Sequence, residues 1–73
     1  MYTGEVTTYD KKRGFGFICL DQANEREEEI FVHAKALQSE AKHQGLRVGE
    51  RVEFEIAEGE RGPQAVNVRL QGQ

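Results

Sequence analysis

The amino-acid sequence predicts an all-β fold, five short antiparallel strands curled into one small barrel. Three observations predict it. Apolar and polar residues alternate with a period of two in short segments, most cleanly in Arg51-Val52-Glu53-Phe54-Glu55-Ile56, the mark of a strand with one wet face. Clusters of Gly, Asp, Lys and Pro punctuate those segments as turns. No real helix interrupts them, and short strands cannot bury an apolar face as a flat sheet, so they should close on themselves.

The elements follow in order. From Thr3 to Tyr9 the residues Val6, Thr7, Thr8 and Tyr9 favour an extended chain, and Asp10 to Gly14 reads as a turn, which together with Phe15 to Leu20 makes a first hairpin. Asp21 to Glu28 is too charged to join a core and is expected as a loop. Ile30 to His33 is a short third strand. Ala34 to Leu37 suits a single helical turn, and the polar stretch that follows, up to Gly45, reads as a loop. Val52, Phe54 and Ile56 face the core of a fourth strand. Glu58 to Pro63 is a turn, and the alternation of Val66, Val68 and Leu70 closes the chain as a fifth strand. A partly open five-stranded barrel of this kind is the OB-fold, the oligonucleotide-binding type.

A chain of 73 residues makes one domain, expected over residues 1–73, that buries only about 60% of its unfolded surface, which leaves no room for a two-domain enzyme. Its 37% hydrophobic and 32% charged residues are ordinary for a globular protein. With no apolar run near membrane-spanning length and no charged-then-apolar leader, the expected location is the cytoplasm. Cys19 stands alone, so neither a disulfide framework nor a Cys-based zinc site is expected. A net charge of −3 opposes non-specific attraction to phosphate, but the charges are unevenly spread: Lys11, Lys12 and Arg13 cluster, while acids gather in Glu25 to Glu29 and Glu50 to Glu60.

The informative segment is Arg13-Gly14-Phe15-Gly16-Phe17-Ile18. Two phenylalanines two apart on a strand share a face, and Ile18 takes the other. Moving Phe15 and Phe17 inside would turn Ile18 and Leu20 out, so the rings are expected outside, with Gly14 and Gly16 leaving open space around them. Ile30-Phe31-Val32-His33 repeats the pattern, Ile30 and Val32 inward, Phe31 and His33 outward. Antiparallel pairing of the two strands would join Phe15, Phe17, Phe31 and His33 in one patch beside a basic turn. Every base offers a π face and every linkage a phosphate, so such a patch suits single-stranded nucleic acid. At roughly 1–3 kcal/mol per stacked base, three rings supply most of the ~8 kcal/mol of micromolar binding.

With these motifs in register, the sequence resembles the bacterial cold-shock domain family from Gly4 to Val68. The family's Lys-Gly-Phe-Gly-Phe-Ile appears as Arg13 to Ile18, its Val-Phe-Val-His as Ile30 to His33, and its Gly-Pro-Gln-Ala-x-Asn-Val as Gly62 to Val68. The resemblance implies a barrel with no catalysis and no cofactor that binds single-stranded RNA or DNA and melts or prevents RNA hairpins. It also implies nucleic-acid contacts from Arg13, Phe15, Phe17, Phe31, His33 and Arg61, with Lys12 and Gln64 as further candidates. Where the family has Lys-Trp-Phe-Asn this chain has Thr7-Thr8-Tyr9-Asp10, and Ala34 replaces a frequent phenylalanine. Two lost platforms at ~1–3 kcal/mol each predict binding tens-fold to thousands-fold weaker, with Tyr9 the candidate to recover part of it.

The other side chains carry less. His33 can stack on a base or hydrogen-bond it. His43 has no neighbour at metal-ligand spacing and is expected to be solvated, so no metal is expected. Glu25 to Glu29 reads as a solvated loop. Ser39 is the only serine, with nothing to place it beside a histidine and an acid, and Glu53 and Glu55 lie on a wet strand face without a pocket, so an enzyme is not expected. The expected role is a single-strand binder of low specificity acting as an RNA chaperone or a transcription or translation regulator, as a monomer or a dimer, with no small-molecule substrate. The competing role is a protein-interaction barrel that kept the fold and lost the affinity.

Overall fold

A computed structural model describes residues 1–21, 29–38, 42, 44–60 and 62–71. It contains five strands, β1 (Tyr2–Asp10), β2 (Phe15–Leu20), β3 (Glu29–His33), β4 (Arg51–Gly59) and β5 (Gly62–Leu70), with a 3-10 turn at Ala34–Ala36. They close into a barrel in the order β1-β2-β3-β5-β4. Lys42 and Gln44, in the stretch expected as a loop, are helical. Most of the charged stretch after Leu20, with His43 and Ser39, lies outside the described residues.

The all-β, five-stranded OB architecture expected from the sequence is therefore present, with one seam of different sense. β1–β2, β2–β3, β4–β5 and β1–β4 pair antiparallel, but β3 and β5 run parallel, joined at Phe31↔Gln64 and Val32↔Ala65. This seam closes the barrel and leaves no open sheet edge there, where an open one would expose unpaired backbone groups.

The core forms as the alternation predicts. Val6, Ile18, Ile30, Val32, Val52, Phe54 and Val68 are buried, joined by Leu20, Leu37, Leu46, Ala65 and Leu70. Phe54 is fully enclosed, and Tyr2, its cross-strand partner, lays its ring on it at 6.3 Å. None of the three phenylalanines of the informative segments belongs to this core.

Two irregularities break the period of two. On β5, Arg69 pairs with Glu53 but Val66 pairs with Glu55, so β5 spends one residue more than β4 over the same span. Asn67, at φ 52, takes up that residue in the left-handed region that Asn tolerates better than most. Ala65 and Val68 consequently both point inward, and Val66, expected in the core with Val68 and Leu70, is only half-buried. On β1 a similar shift falls between Val6 and Thr8.

Gly16 has a different job from the one its sequence context suggested. It is buried, and a Cβ there would lie 2.7 Å from Tyr9 Cα and closer still to the Thr8 carbonyl oxygen. It allows β1 and β2 to approach, on the side away from the rings, instead of clearing space around them. Gly14, at φ 79, turns the chain into β2.

Candidate nucleic-acid interface

The site is built on the outer surface of the β2–β3 ladder. The register Phe15↔His33 and Phe17↔Phe31 places these four side chains in two facing pairs, since residues opposite one another on paired strands share a side. Gly16↔Val32 and Ile18↔Ile30 take the inner side. The rings touch: Phe15 and Phe31 stack at 5.9 Å and 28°, and Phe17 meets Phe31 edge-on at 6.0 Å and 74°. All three are half-buried while His33 is exposed, so the rings shelter one another and remain open to solvent.

The turn that carries Lys12 and Arg13 leads directly into β2 and is held by Asp10. Asp10 Oδ1 accepts from the backbone N–H of Lys12 (2.9 Å) and of Arg13 (3.2 Å), and the Gly14 N–H donates to the Asp10 carbonyl (2.7 Å). The Asp10 carboxylate also lies 3.8 Å from Arg13 Nε, an exposed pair of small energetic weight. Lys12 is exposed with no ion-pair partner among the described residues.

His33 is oriented by the turn that follows it. Its Nδ1 accepts from the Lys35 backbone N–H at 3.1 Å, which leaves Nε2 to carry the proton of the neutral ring and to donate outward. The Ala34 N–H donates to the Gly14 carbonyl at 2.8 Å, tying this turn to the β1–β2 hairpin.

The remaining candidates divide. Gln64, across the seam from Phe31, joins the face, its amide lying over Gly59 where a Cβ would be 2.7 Å away. Tyr9 does not join it. It pairs with Gly16 on the inner side, packs against the core, and its hydroxyl pKa is raised by that burial. The bulge before Thr8 decides this: Thr8 takes the outer position opposite Phe17, and Tyr9 turns in. Tyr9 is therefore a packing residue in place of the platform expected of it. Arg61 lies outside the described residues.

The structure adds residues that the sequence reading missed. One cleft of about 400 Å³ is lined by Phe31, His33, Lys35, Ala36, Gln64, Ala65 and Val66. A second, of about 410 Å³, is lined by Phe15, Phe31, His33, Glu60 and Gln64. Lys35 had a signal, being two residues beyond His33 on a predicted tight turn. Val66 had none, because unbroken alternation assigns it to the core.

The chain is similar to known proteins over nearly its whole length. The profile of the "'Cold-shock' DNA-binding domain" matches residues 2–71. Cold shock-like protein CspB of Bacillus cereus is 45% identical over 65 residues, covering 89% of this chain and 92% of that protein. The cold shock-like protein of Thermotoga maritima is 42% identical over 67 residues, covering 92% and 94%. Cold shock protein CspA of Staphylococcus saprophyticus is 44% identical over 68 residues, covering 93% and 96%. Among solved structures, drosophila Unr CSD456 is similar with a TM-score of 0.71 at 22% identity, a likeness of fold alone. It covers 94% of this chain and 26% of that one, so this chain spans about a quarter of that molecule.

Proposed function

The chain belongs to the cold-shock domain family, generally nucleic-acid binding, and from that premise we propose that it binds single-stranded RNA or DNA as a single domain. Bases stack on Phe15, Phe17 and Phe31, His33 donates from Nε2, Gln64 contributes its amide, and Lys12 and Arg13 meet the phosphates. Stacking is sequence-tolerant because every base has a π face, so specificity is low. Holding bases apart from their partners is what an RNA chaperone does, and we assign the chain that role, in the cytoplasm and without catalysis.

One observation carries the reading: three rings joined through Phe31 lie outside a core that is complete without them. Leaving them half-exposed forgoes part of the roughly 1.5–3 kcal/mol that full burial of each would give, a loss that an aromatic ligand recovers.

Titrating a short oligothymidine at low and physiological salt tests this. Saturable binding is expected, with affinity lost about 5- to 150-fold in Phe17→Ala, the equivalent of one stacked base. The same variant should lose about 1–3 kcal/mol of stability, from the aromatic pair and the buried half of the ring. No association even at low salt would leave the protein-interaction barrel as the better reading.

A further inference from the structure

The two clefts share Phe31, His33 and Gln64, so they are adjoining recesses. Their charges differ. Among the described lining residues, Glu60 is the charged side chain of the recess under Phe15, and Lys35 is that of the recess between β3, the 3-10 turn and β5. An anionic backbone crossing this surface is favoured at the second by Lys35.

The Lys35 recess is also shaped for a nucleotide. Phe31 forms a wall, and Ala36, Ala65 and Val66 give it small apolar surfaces. Val66 is there only because the bulge at Asn67 turns it away from the core. The polar groups at the rim are His33, Gln64 and Lys35. The bond from the Lys35 N–H to His33 Nδ1 sets His33 and the Lys35 backbone in fixed relation. Lys35 is exposed and pairs with no carboxylate among the described residues, so its ammonium has no competing partner there to displace.

We infer that the cleft between β3, the 3-10 turn and β5 is a nucleotide subsite extending the phenylalanine face, and that Lys35 holds the phosphate of the nucleotide seated in it. The inference rests on the reading that this face takes single strands. It gives the chain a backbone contact on the turn where Ala34 supplies no ring.

The test is the salt dependence of oligothymidine binding by the wild-type chain, Lys35→Gln, Lys35→Arg and Phe17→Ala. One phosphate contact on a single strand contributes a slope of about 0.7 in log K against log salt. Counted from a 1 M reference, Lys35→Gln should weaken binding about eightfold at 50 mM salt and about threefold at 200 mM, with the slope shallower by about 0.7. Lys35→Arg should restore both, and the melting temperature of each exposed-site variant should stay at the wild-type value. Wild-type affinity and slope in Lys35→Gln, with Phe17→Ala still weakened, would overturn the subsite alone. Weaker binding at an unchanged slope would place Lys35 on a base and overturn the phosphate assignment. No wild-type binding at all would overturn this inference together with the function it extends.

Discussion

Thr8 shows how much of this surface one side chain controls. It sits directly opposite Phe17 on the outer side of β1 and is exposed, at the position where the family carries a tryptophan. A hydroxyl there offers no stacking surface, and Tyr9 cannot substitute because it faces the other way. Thr8→Trp should therefore extend the row of rings by one and tighten oligothymidine binding by about 5- to 150-fold, the worth of one stacked base. The chain has no tryptophan, so quenching of the introduced indole reports the binding directly. Affinity that does not change would mean the bound strand does not run over β1.

Among elements, the β1–β2 hairpin is the one with least slack. Its strands meet at Gly16 closely enough that a methyl group would lie 2.7 Å from Tyr9 Cα, against backbone that cannot rotate away as a side chain would. Gly16→Ala must push the strands apart, an overpacking cost of about 1–3 kcal/mol. In a domain of this size that lowers the melting temperature by roughly 5–20 °C. An unchanged melting temperature would show that the hairpin has room the close approach denies. β5 is set by the opposite device, an inserted residue. Without the bulge at Asn67, Val66 would stay in phase with Val68 and Leu70, and the cleft beside Lys35 would lose part of its lining. Asn67 is held from both sides, accepting from Gln38 Nε2 (3.0 Å) and donating to Glu55 Oε1 (3.2 Å).

Across the whole molecule, a net charge of −3 is compatible with the proposed phosphate-binding face because the charges are unevenly spread. Arg51 pairs with Asp21 and Glu5, and Arg69 with Glu53, whereas Lys12 and Lys35 beside the rings have no ion-pair partner among the described residues. The Arg51–Asp21 contact also has a mechanical role. Asp21, just after β2, accepts from Arg51 on β4 and from Thr3 Oγ1 on β1 (2.8 Å), so one carboxylate ties three strands together. Those bonds, the Arg51 guanidinium foremost, hold its pKa below the usual carboxylate value of 3.8. A group whose folded pKa is lowered stabilises the fold above its unfolded value and loses that contribution as the pH falls through the folded one. Thermal melts from neutrality into that acid range should fall less steeply for Asp21→Asn than for the wild type. High salt should narrow the difference, because the pair is exposed. Parallel profiles would show that protonation of Asp21 is not linked to folding.

The sequence by itself determined the strands and which of their side chains face out over β2 and β3. Phe15, Phe17, Phe31 and His33 alternate with Gly16, Ile18, Ile30 and Val32, and the pleat of a strand turns that spacing into a face without help from the rest of the chain. Alternation also located most of the core. Only the tertiary structure decided that Tyr9 turns inward, that Val66 turns outward, that Gly16 serves strand contact, and that Lys35 and Gln64 border one cleft. The physical reason is that period-two reading is local and assumes an unbroken pleat. A bulge adds one residue and reverses every later assignment until the next, and the parallel seam joins Phe31 to Gln64 through packing of strands far apart in the chain.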